Sequence, residues 1–296
     1  MVGSIKSNEF FNRNNIAGVL YVVPTPIGNL EDITYRALKI LESVSLIAAE
    51  DTRNTKKLLN HFELTTPLIS YHEHNKVARE EQLLEKIKRG ESIAIVSDAG
   101  MPTISDPGVE IVQAVIEENQ NVVVLPGANA ALCGLIGSGL PTDEFYFYGF
   151  LPRKKKDKAS ELDRLKRLKA TLLFYESPYR IKDTLKIIHE QLGNRNIAIA
   201  RELTKRFEEF VRGTVEELIE WAESQEMRGE FVLVVEGSTL AAEEEADNLW
   251  WESLSVVAHV NHYIEEKGFS SKDAIKQVAV DRNIPKRDVY QMYHIG

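Results

Sequence analysis

The sequence contains a single cysteine and no long apolar run. Cys133 is the only cysteine among 296 residues, so no internal disulfide can form, which favours a reducing compartment. Because Cys133 lies within the apolar run 130–136, we expect it to be a small core residue. No stretch approaches the roughly 20 apolar residues of a membrane helix, and residues 1–15 lack the apolar centre of a signal peptide. These absences predict a cytoplasmic protein with no membrane association.

Positive charge is also in deficit over the whole chain. The net charge of -9 excludes a uniformly basic surface of the kind that binds nucleic acid. The sign reverses locally in Arg153–Lys158, and further basic residues follow in 164–169. Such a cluster is typical of phosphate binding. The alternative is a solvated helix face, since Asp157 and Glu161 dilute the cluster.

Strands alternate with helices along the first half of the chain. Short apolar runs such as Val19–Val23, Leu46–Glu50 and Ser92–Val96 are typical of strands buried on both faces of a parallel sheet. In the second half, the closely spaced runs Ile197–Ala200 and Glu209–Val211 predict an antiparallel hairpin and therefore a mixed sheet. The fold class we predict is α/β, with two α/β domains, a cleft between them and a small helical C-terminal extension.

Changes of composition divide the chain into four segments. Small residues and prolines near Gly137–Thr142 mark a domain boundary, and the acidic run Glu243–Glu245 marks a second one. We predict a disordered N-terminus (1–17), an N-terminal α/β domain (18–137), a C-terminal α/β domain (138–240) and a helix-turn-helix-like extension (241–296). This extension is either a second RNA contact or a packing or dimer-stabilising element.

The loop Ser97–Gly108 is the first candidate for a functional site. It follows a buried strand, and ligands of open α/β sheets bind outside the carboxyl ends of strands. Asp98, Gly100, Pro102, Asp106 and Gly108 are therefore placed to line a crevice. For Asp106 we favour the alternative that it caps the helix that begins behind Pro107.

Polar residues gather after other predicted strands as well. The loop 24–29 lacks the glycine pattern of a dinucleotide site. Like this loop, four other polar segments follow predicted strands: 50–53, 126–130, 176–180 and 201–206. Together these segments favour a ligand-binding cleft between two domains. His72 and His74 have the spacing to face the same way on an extended segment, but without a third ligand we predict no metal site.

Seven segments resemble one family in their order along the chain. They are Pro24–Leu38, Ala49–Arg53, Ser97–Gly108, Leu125–Asn129, Ser138–Thr142, Phe174–Pro178 and Ala200–Lys205. Residues 18–240, with a matching helical tail, resemble the rRNA ribose methyltransferases of the small ribosomal subunit, a group of the tetrapyrrole-methylase superfamily. The resemblance implies S-adenosylmethionine bound between two domains, a homodimer, and the ribose 2′-hydroxyl of a cytidine in the decoding region of 16S rRNA as acceptor. Free rRNA and the assembled subunit both remain open as substrate.

The resemblance also implies roles for individual residues. The positions that would face the cofactor are Pro24, Gly28, Asp98, Gly100, Pro102, Pro126, Gly127, Ala130, Glu176 and Leu203. As catalytic residues that accept or steer the hydroxyl proton we expect Asp98 and Glu176, with Asp51 and Glu202 equally available. As RNA contacts we expect Arg53, Arg153, Lys154, Lys155, Lys156, Arg201 and Lys205.

Two other functions remain alternatives. A methyltransferase acting on a tetrapyrrole would use the same cofactor and cleft, but tetrapyrrole members have a more glycine-rich first loop, and a macrocycle needs a broad apolar groove. A non-catalytic RNA-binding protein would rely on the helix-turn-helix-like tail. Cofactor binding and turnover would exclude this second alternative.

Overall fold

The computed structural model describes residues 18–73, 75–238, 251 and 253–294. The described residues form two compact units, one ending at Gly237 and the other beginning at Ser238. The predicted disordered segment 1–17, the acidic run 243–245 and His74 lie outside the described residues. No helix in the described ranges is long and apolar enough to cross a membrane.

The first unit contains a parallel sheet of five strands in the order β3-β2-β4-β1-β5. Its strands are β1 (Val19–Val22), β2 (Leu46–Ala49), β3 (Leu68–Ser70), β4 (Ile93–Val96) and β5 (Asn121–Val124). The helices that follow them are α1 (Tyr35–Ser43), α2 (Thr52–His61), α3 (Lys76–Lys88), α4 (Val109–Glu117) and α5 (Ala130–Ser138). Every residue of β4 is buried because helices cover both faces of the sheet, as its unbroken apolar sequence predicts.

The same unit contains a second, mixed sheet in the order β6-β7-β10-β8-β9. Its strands are β6 (Phe145–Phe150), β7 (Thr171–Glu176), β8 (Asn196–Arg201), β9 (Glu209–Thr214) and β10 (Phe231–Val235). Its helices are α6 (Lys155–Leu165), α7 (Ile181–Leu192) and α8 (Val215–Glu223). Strands β8 and β9 form the predicted antiparallel hairpin, while β6 and β7 pair in parallel.

Two apolar layers enclose the second sheet. One face packs on α6, α7 and α8 through residues such as Leu162, Ile188 and Leu218. The other face packs on α5, where Ala131 and Leu135 contact Val232. At Gly134 of α5, a Cβ atom would lie 2.9 Å from the Val232 side chain, so glycine permits this close approach.

The second unit is helical. It contains α9 (Val256–Glu265), α10 (Ser271–Asp281) and α11 (Lys286–His294), and α10 and α11 are joined by the short turn that the sequence predicts. Val260, Ile275, Val278 and Val289 are buried together in its core.

Candidate functional site

The loops after β1 and β4 are fixed to each other at the carboxyl end of the parallel sheet. Thr25 and Gly100 exchange two backbone hydrogen bonds of 2.9 and 3.0 Å. The Thr25 hydroxyl also donates to the Ser97 carbonyl oxygen at 3.2 Å. These bonds hold the loop 97–108 rigidly at the strand ends, which is where the α/β topology predicts a ligand site.

The loop 97–108 has an irregular backbone. Thr103, Ser105 and Gly108 have φ angles of 74°, 64° and 129°, in the left-handed region that L side chains rarely adopt. The N-cap of α4 is Gly108, and no side chain caps this helix end. The prediction that Asp106 caps α4 is therefore wrong, because the left-handed turn at Gly108 separates Asp106 from the helix.

A cavity of about 420 Å³ lies beside this loop and between the two sheets of the first unit. Its volume is in the usual range for a small-molecule site. Apolar walls come from Ile27, Met101, Ile104, Phe150, Tyr175, Leu203, Phe231 and Val232. Carboxyl groups of Glu50, Asp98, Asp106, Glu176 and Glu230 also line it. An apolar cavity with several carboxylates is suited to a ligand that carries both a flat apolar group and a positive charge.

Asp98 is held by donors from α2 and the segment before it. The Asp51 backbone N–H donates to Asp98 Oδ1 at 3.1 Å, and the Asn54 side-chain amide donates to Oδ2 at 3.1 Å. Asp51 itself binds Arg53 at 2.6 Å, and the hydrogen bonds from Arg53 lower the pKa of Asp51 to about 2. Of these two carboxylates, Asp98 is the one that lines the cavity.

Two further carboxyl groups of the cavity hold their protons more tightly than usual. Burial raises the pKa of Glu50, and the negative charges of Asp98 and Asp51 add to this rise. Burial raises the pKa of Asp106 to about 7, with the charge of Glu50 as the second cause. Of these two groups, Asp106 is therefore partly protonated near neutral pH.

Glu176 belongs to a buried polar network at the end of β7. Its Oε2 accepts from the Thr184 hydroxyl at 2.6 Å, and its Oε1 accepts from the Ser177 N–H at 2.8 Å. Arg180 Nε lies 3.3 Å from Oε1. Lys158 donates to the Thr184 hydroxyl at 2.6 Å and lies 3.7 Å from Oε2. Glu176 is therefore a fixed, ion-paired part of the cavity wall.

The predicted cofactor residues fall into two groups. Asp98, Gly100, Ala130, Glu176 and Leu203 line the cavity. Pro24, Gly28, Pro102, Pro126 and Gly127 are outside its lining.

The two glycines outside the lining allow neighbouring loops to pack closely together. A Cβ atom on Gly127 would lie 2.5 Å from the Pro24 ring. A Cβ atom on Gly28 would lie 2.4 Å from the Lys205 side chain and 3.1 Å from the Leu203 carbonyl oxygen. The loop after β1 thus packs closely against the loop that carries Leu203.

Asp106 lines the cavity, as the first interpretation of its loop predicts. Several other cavity residues are not predicted individually, although many of them lie in the segments predicted to form the site. They are Ile27, Glu50, Ala99, Met101, Ile104, Ser105, Asn129, Phe150, Tyr175, Ser177, Pro178 and 229–232. Glu50 directly follows β2 and lies in the segment 50–53, whose position at a strand end favours the cleft. Residues 229–232 precede or begin a strand that is antiparallel to its neighbours, so the rule of carboxyl ends does not identify them.

The basic run divides into an exposed part and a buried part. Arg153, Lys154, Lys155 and Lys156 are exposed and begin three residues after Phe150 of the cavity wall. Lys158 is 3% exposed and faces Glu176, which corrects its assignment to a phosphate-binding cluster. The register of α6 explains this, since Lys158, Leu162 and Leu165 share its buried face.

The other predicted RNA contacts differ in accessibility. The Arg53 side chain is 86% exposed. Arg201 is 19% exposed and lies 3.4 Å from Glu209. Lys205 pairs with Glu202 and Glu230, both at 2.9 Å. Arg201 and Lys205 are thus already engaged by carboxylates at the rim of the second sheet.

Cys133 is exposed, so the prediction that it is a core residue is wrong. The buried face of α5 consists of Ala131, Gly134, Leu135 and Ser138. Cys133 lies on the opposite face, as do Leu132 and Ile136, whose side chains are exposed. The run 130–136 is apolar on both faces, which a helix buried on one side alone does not require.

The histidines give no sign of a metal centre in the part of the chain that the structure describes. His72 Nε2 lies 3.3 Å from the Asn75 side-chain amide. Within residues 18–73, 75–238, 251 and 253–294, no three histidine, cysteine or acidic side chains are grouped so that they could hold a metal ion.

Comparison with known proteins gives one family. Residues 19–219 match the model of the family described as Tetrapyrrole (Corrin/Porphyrin) Methylases. A protein of Bacillus subtilis named ribosomal RNA small subunit methyltransferase I is 56% identical over 285 residues, which cover 96% of this chain and 97% of that protein. A protein of the same name from Halalkalibacterium halodurans is 55% identical over 98% of this chain and 99% of its own length.

The fold is also similar to that of a solved structure with a bound cofactor product. Uroporphyrin-III C-methyltransferase from Thermus thermophilus, complexed with S-adenyl homocysteine, aligns with a TM-score of 0.51 at 19% identity. The alignment covers 76% of this chain and 100% of that chain. At this level of identity the likeness concerns the fold alone.

Proposed function

We propose that the acceptor of this enzyme is a ribose 2′-hydroxyl. The chain belongs to the tetrapyrrole methylase family, and it is an S-adenosylmethionine-dependent methyltransferase of ribosomal RNA. The specific acceptor proposed is that of a cytidine in the decoding region of 16S rRNA, either free or in the assembled small subunit. The observation that carries this proposal is the combination of an acidic, apolar cavity with an exposed basic segment that begins three residues from its wall. Such an enzyme works in the cytoplasm, where ribosomes assemble.

The residues of the cavity fit S-adenosylmethionine in their chemistry. Phe150, Tyr175 and Phe231 offer aromatic surface to a base. Asp98 and Glu50 offer carboxylates to ribose hydroxyls or to a sulfonium. When bound there, the cofactor supplies a methyl group that is already strongly electrophilic. The protein then has to align the acceptor oxygen with that methyl group, exclude water and receive a proton.

We propose distinct roles for the two predicted catalytic carboxylates. Asp98 stabilises the positive charge of the cofactor, because its oxygens are fixed by Asp51 and Asn54 before any ligand binds. Glu176 keeps the second-sheet wall of the cavity rigid through Thr184 and Lys158. Both side chains thereby act on the position and charge of the reacting groups. Gly100, Ala130 and Leu203 complete the contact surface, and Pro24, Gly28, Pro102, Pro126 and Gly127 belong to the loops that carry lining residues.

An Asp98→Asn variant is expected to lose affinity for S-adenosylmethionine by about fivefold more than for S-adenosylhomocysteine. The two ligands differ in the positive charge on sulfur, and an exposed charge pair contributes at most about 1 kcal/mol. Isothermal titration calorimetry with both ligands measures the ratio. If the variant binds both ligands and methylates RNA as the wild type does, Asp98 does not stabilise the positive charge of the cofactor.

The proposed RNA surface joins the cavity at the start of α6. Arg153, Lys154, Lys155 and Lys156 follow β6, and Arg53 lies near Asp98 at the start of α2. Mobile exposed lysines are suited to phosphates of varied geometry. Arg201 and Lys205 can contribute only by exchanging their carboxylate partners for phosphates.

We also propose that two copies of the chain associate through the outer face of α5. Leu132 and Ile136 are 44% and 75% exposed, and Val124 at the end of β5 is 56% exposed. Leu132 and Ile136 lie one turn apart on the same face of α5, and neighbouring exposed apolar side chains are typical of an interface between subunits. Static light scattering is expected to give twice the mass of one chain at micromolar concentration. A monomeric mass at all concentrations tested would contradict the dimer.

The proposed function is tested by offering three acceptors to the enzyme together with radiolabelled S-adenosylmethionine. Assembled small ribosomal subunits and naked 16S rRNA test the RNA substrate, and a uroporphyrinogen tests the tetrapyrrole alternative. We expect label in one or both RNA samples and none in the tetrapyrrole. Label in the tetrapyrrole alone would overturn the proposal, and absence of cofactor binding would exclude a methyltransferase.

A further inference from the structure

Asp106 is a carboxylate of the cavity wall to which the proposed function assigns no step. It lies between Ser105, whose φ is 64°, and Pro107, so the backbone fixes its direction. It makes no cap hydrogen bond to α4, whose N-cap is Gly108. At Gly108 a Cβ atom would lie 2.8 Å from the Ile95 side chain, so the loop is pressed onto β4 at this point. The strained loop thus holds Asp106 at the cavity instead of at the helix end.

The groups that face Asp106 come from both sheets. Glu50 follows β2, Asp98 lies on the same loop, and the charge of Asp106 also influences Tyr175 of β7. The Ser97 hydroxyl lowers the pKa of Asp106, and it also lies 3.4 Å from the Ala99 carbonyl oxygen, to which it donates. Both charged neighbours are negative, so they favour the protonated form, while the Ser97 hydroxyl opposes them. Burial is the largest cause of the shift, and together with these neighbours it raises the pKa of Asp106 to about 7.

Two other carboxylates of the cavity, Asp98 and Glu176, are less suited than Asp106 to receive a proton. Both oxygens of Asp98 accept hydrogen bonds from protein donors. Glu176 is 2% exposed, and both of its oxygens accept hydrogen bonds within a network that includes Lys158 and Arg180. A general base works best when its pKa is near the operating pH and one oxygen can reach the substrate.

We propose that Asp106 is the catalytic base that receives the proton of the acceptor hydroxyl, an inference that rests on the proposed function. The O–H bond of the ribose hydroxyl breaks, and its proton moves to an Asp106 carboxylate oxygen. The hydroxyl oxygen forms a bond to the methyl carbon, and the bond from that carbon to sulfur breaks, leaving its electron pair on sulfur. Asp106 is partly exposed, so it then releases the proton to water.

The first test is the pH dependence of single-turnover methyl transfer to the RNA substrate. For the wild type, the rate is expected to rise with pH through about 7 and then to level off, because Asp106 must be deprotonated. The Asp106→Asn variant is expected to be about 100-fold slower on the plateau and to lack this rise. Binding of S-adenosylhomocysteine, measured by calorimetry, shows whether the variant remains folded with an intact cofactor site.

Two neighbouring substitutions separate a base from a structural residue. Glu50→Gln removes a negative charge beside Asp106, so the rise in rate is expected at lower pH. Ser97→Ala removes the hydroxyl that lowers the pKa of Asp106, so the rise is expected at higher pH. A carboxylate with only a structural role would not produce shifts of opposite sign.

A measurement without turnover completes the test. Carbon-13 NMR of carboxyl-labelled aspartate is expected to show one resonance titrating near pH 7, which is absent from Asp106→Asn. An active wild type together with an Asp106→Asn variant of unchanged rate and profile overturns this inference alone. If the rate of Glu50→Gln does not rise with pH while that of Asp106→Asn still does, Glu50 is the base, and the inference on Asp106 is overturned. A wild type inactive on every RNA overturns the proposed function and this inference together.

Discussion

Replacement of Lys158 by methionine is expected to lower the free energy of unfolding by about 3 kcal/mol. The side chains of Lys158 and Glu176 are 4% and 1% exposed, so neither charge is solvated. Burial lowers the pKa of Lys158, and the charge of Glu176 partly offsets this effect. Methionine removes the ammonium and its 2.6 Å hydrogen bond to Thr184, which leaves Glu176 to Arg180. Because Arg180 still pairs with Glu176, we expect the loss of unfolding free energy to be at the lower end of the range for a broken buried ion pair.

Urea unfolding at constant m-value measures this change. The matched control is Lys156→Met on the same helix, which removes an exposed charge and is expected to change stability by less than about 0.5 kcal/mol. The double variant Lys158→Met, Glu176→Gln is expected to be destabilised by less than the sum of the single variants, because the second change removes the charge left behind. Equal stability of Lys158→Met and Lys156→Met would show that the buried network contributes nothing.

Reversal of charge at Lys154, Lys155 and Lys156 is expected to weaken binding of the RNA substrate by roughly 100-fold at low salt. Each lysine that contacts a phosphate contributes about one unit to the slope of log affinity against log salt, so this slope is expected to fall by up to about three. Filter binding over a salt series measures both quantities. Affinity for S-adenosylhomocysteine is expected to stay the same, since none of the three lysines lines the cavity.

The matched control for this triple variant lies at the end of α3. Reversal at Lys86, Lys88 and Arg89 changes the net charge equally, but these residues precede β4 and so lie at the amino ends of the parallel strands, away from the cavity. An equal loss of RNA affinity in the control would show that the effect depends on net charge and not on the position of the lysines.

Reversal at Lys286 and Arg287 of α11, both exposed, tests the second unit in the same assay. Unchanged RNA affinity there would leave this unit without an RNA role.

The elements of the fold were predictable where local pattern and burial agree. The run at β4 is apolar throughout, and α8 (Val215–Glu223) begins at a capping box formed by Thr214 and Glu217. The face of α5 that turns away from the core was not predictable, because the run around Cys133 is apolar on both sides. The sequence of this helix therefore does not indicate which of its two faces packs on the core.

The site was predictable only from the parallel sheet. Asp98 and Gly100 follow β4, and the rule of carboxyl ends brings them to the cavity. Phe231 and Phe150 come from the mixed sheet, and no local pattern specifies how that sheet faces the first one. Asp106 was ambiguous, since an Asp-Pro pair suits both a helix start and a rigid loop. The left-handed backbone at Gly108, visible only in three dimensions, decides between them.

The most direct test of the whole account is the chemical position of the transferred methyl group. Small ribosomal subunits or 16S rRNA that lack the modification are incubated with the enzyme and labelled S-adenosylmethionine, digested to nucleosides and analysed by mass spectrometry. The account predicts a single labelled product, 2′-O-methylcytidine, located in the decoding region. Label on a base, or on the ribose of another nucleoside, would contradict the proposed chemistry at this cleft.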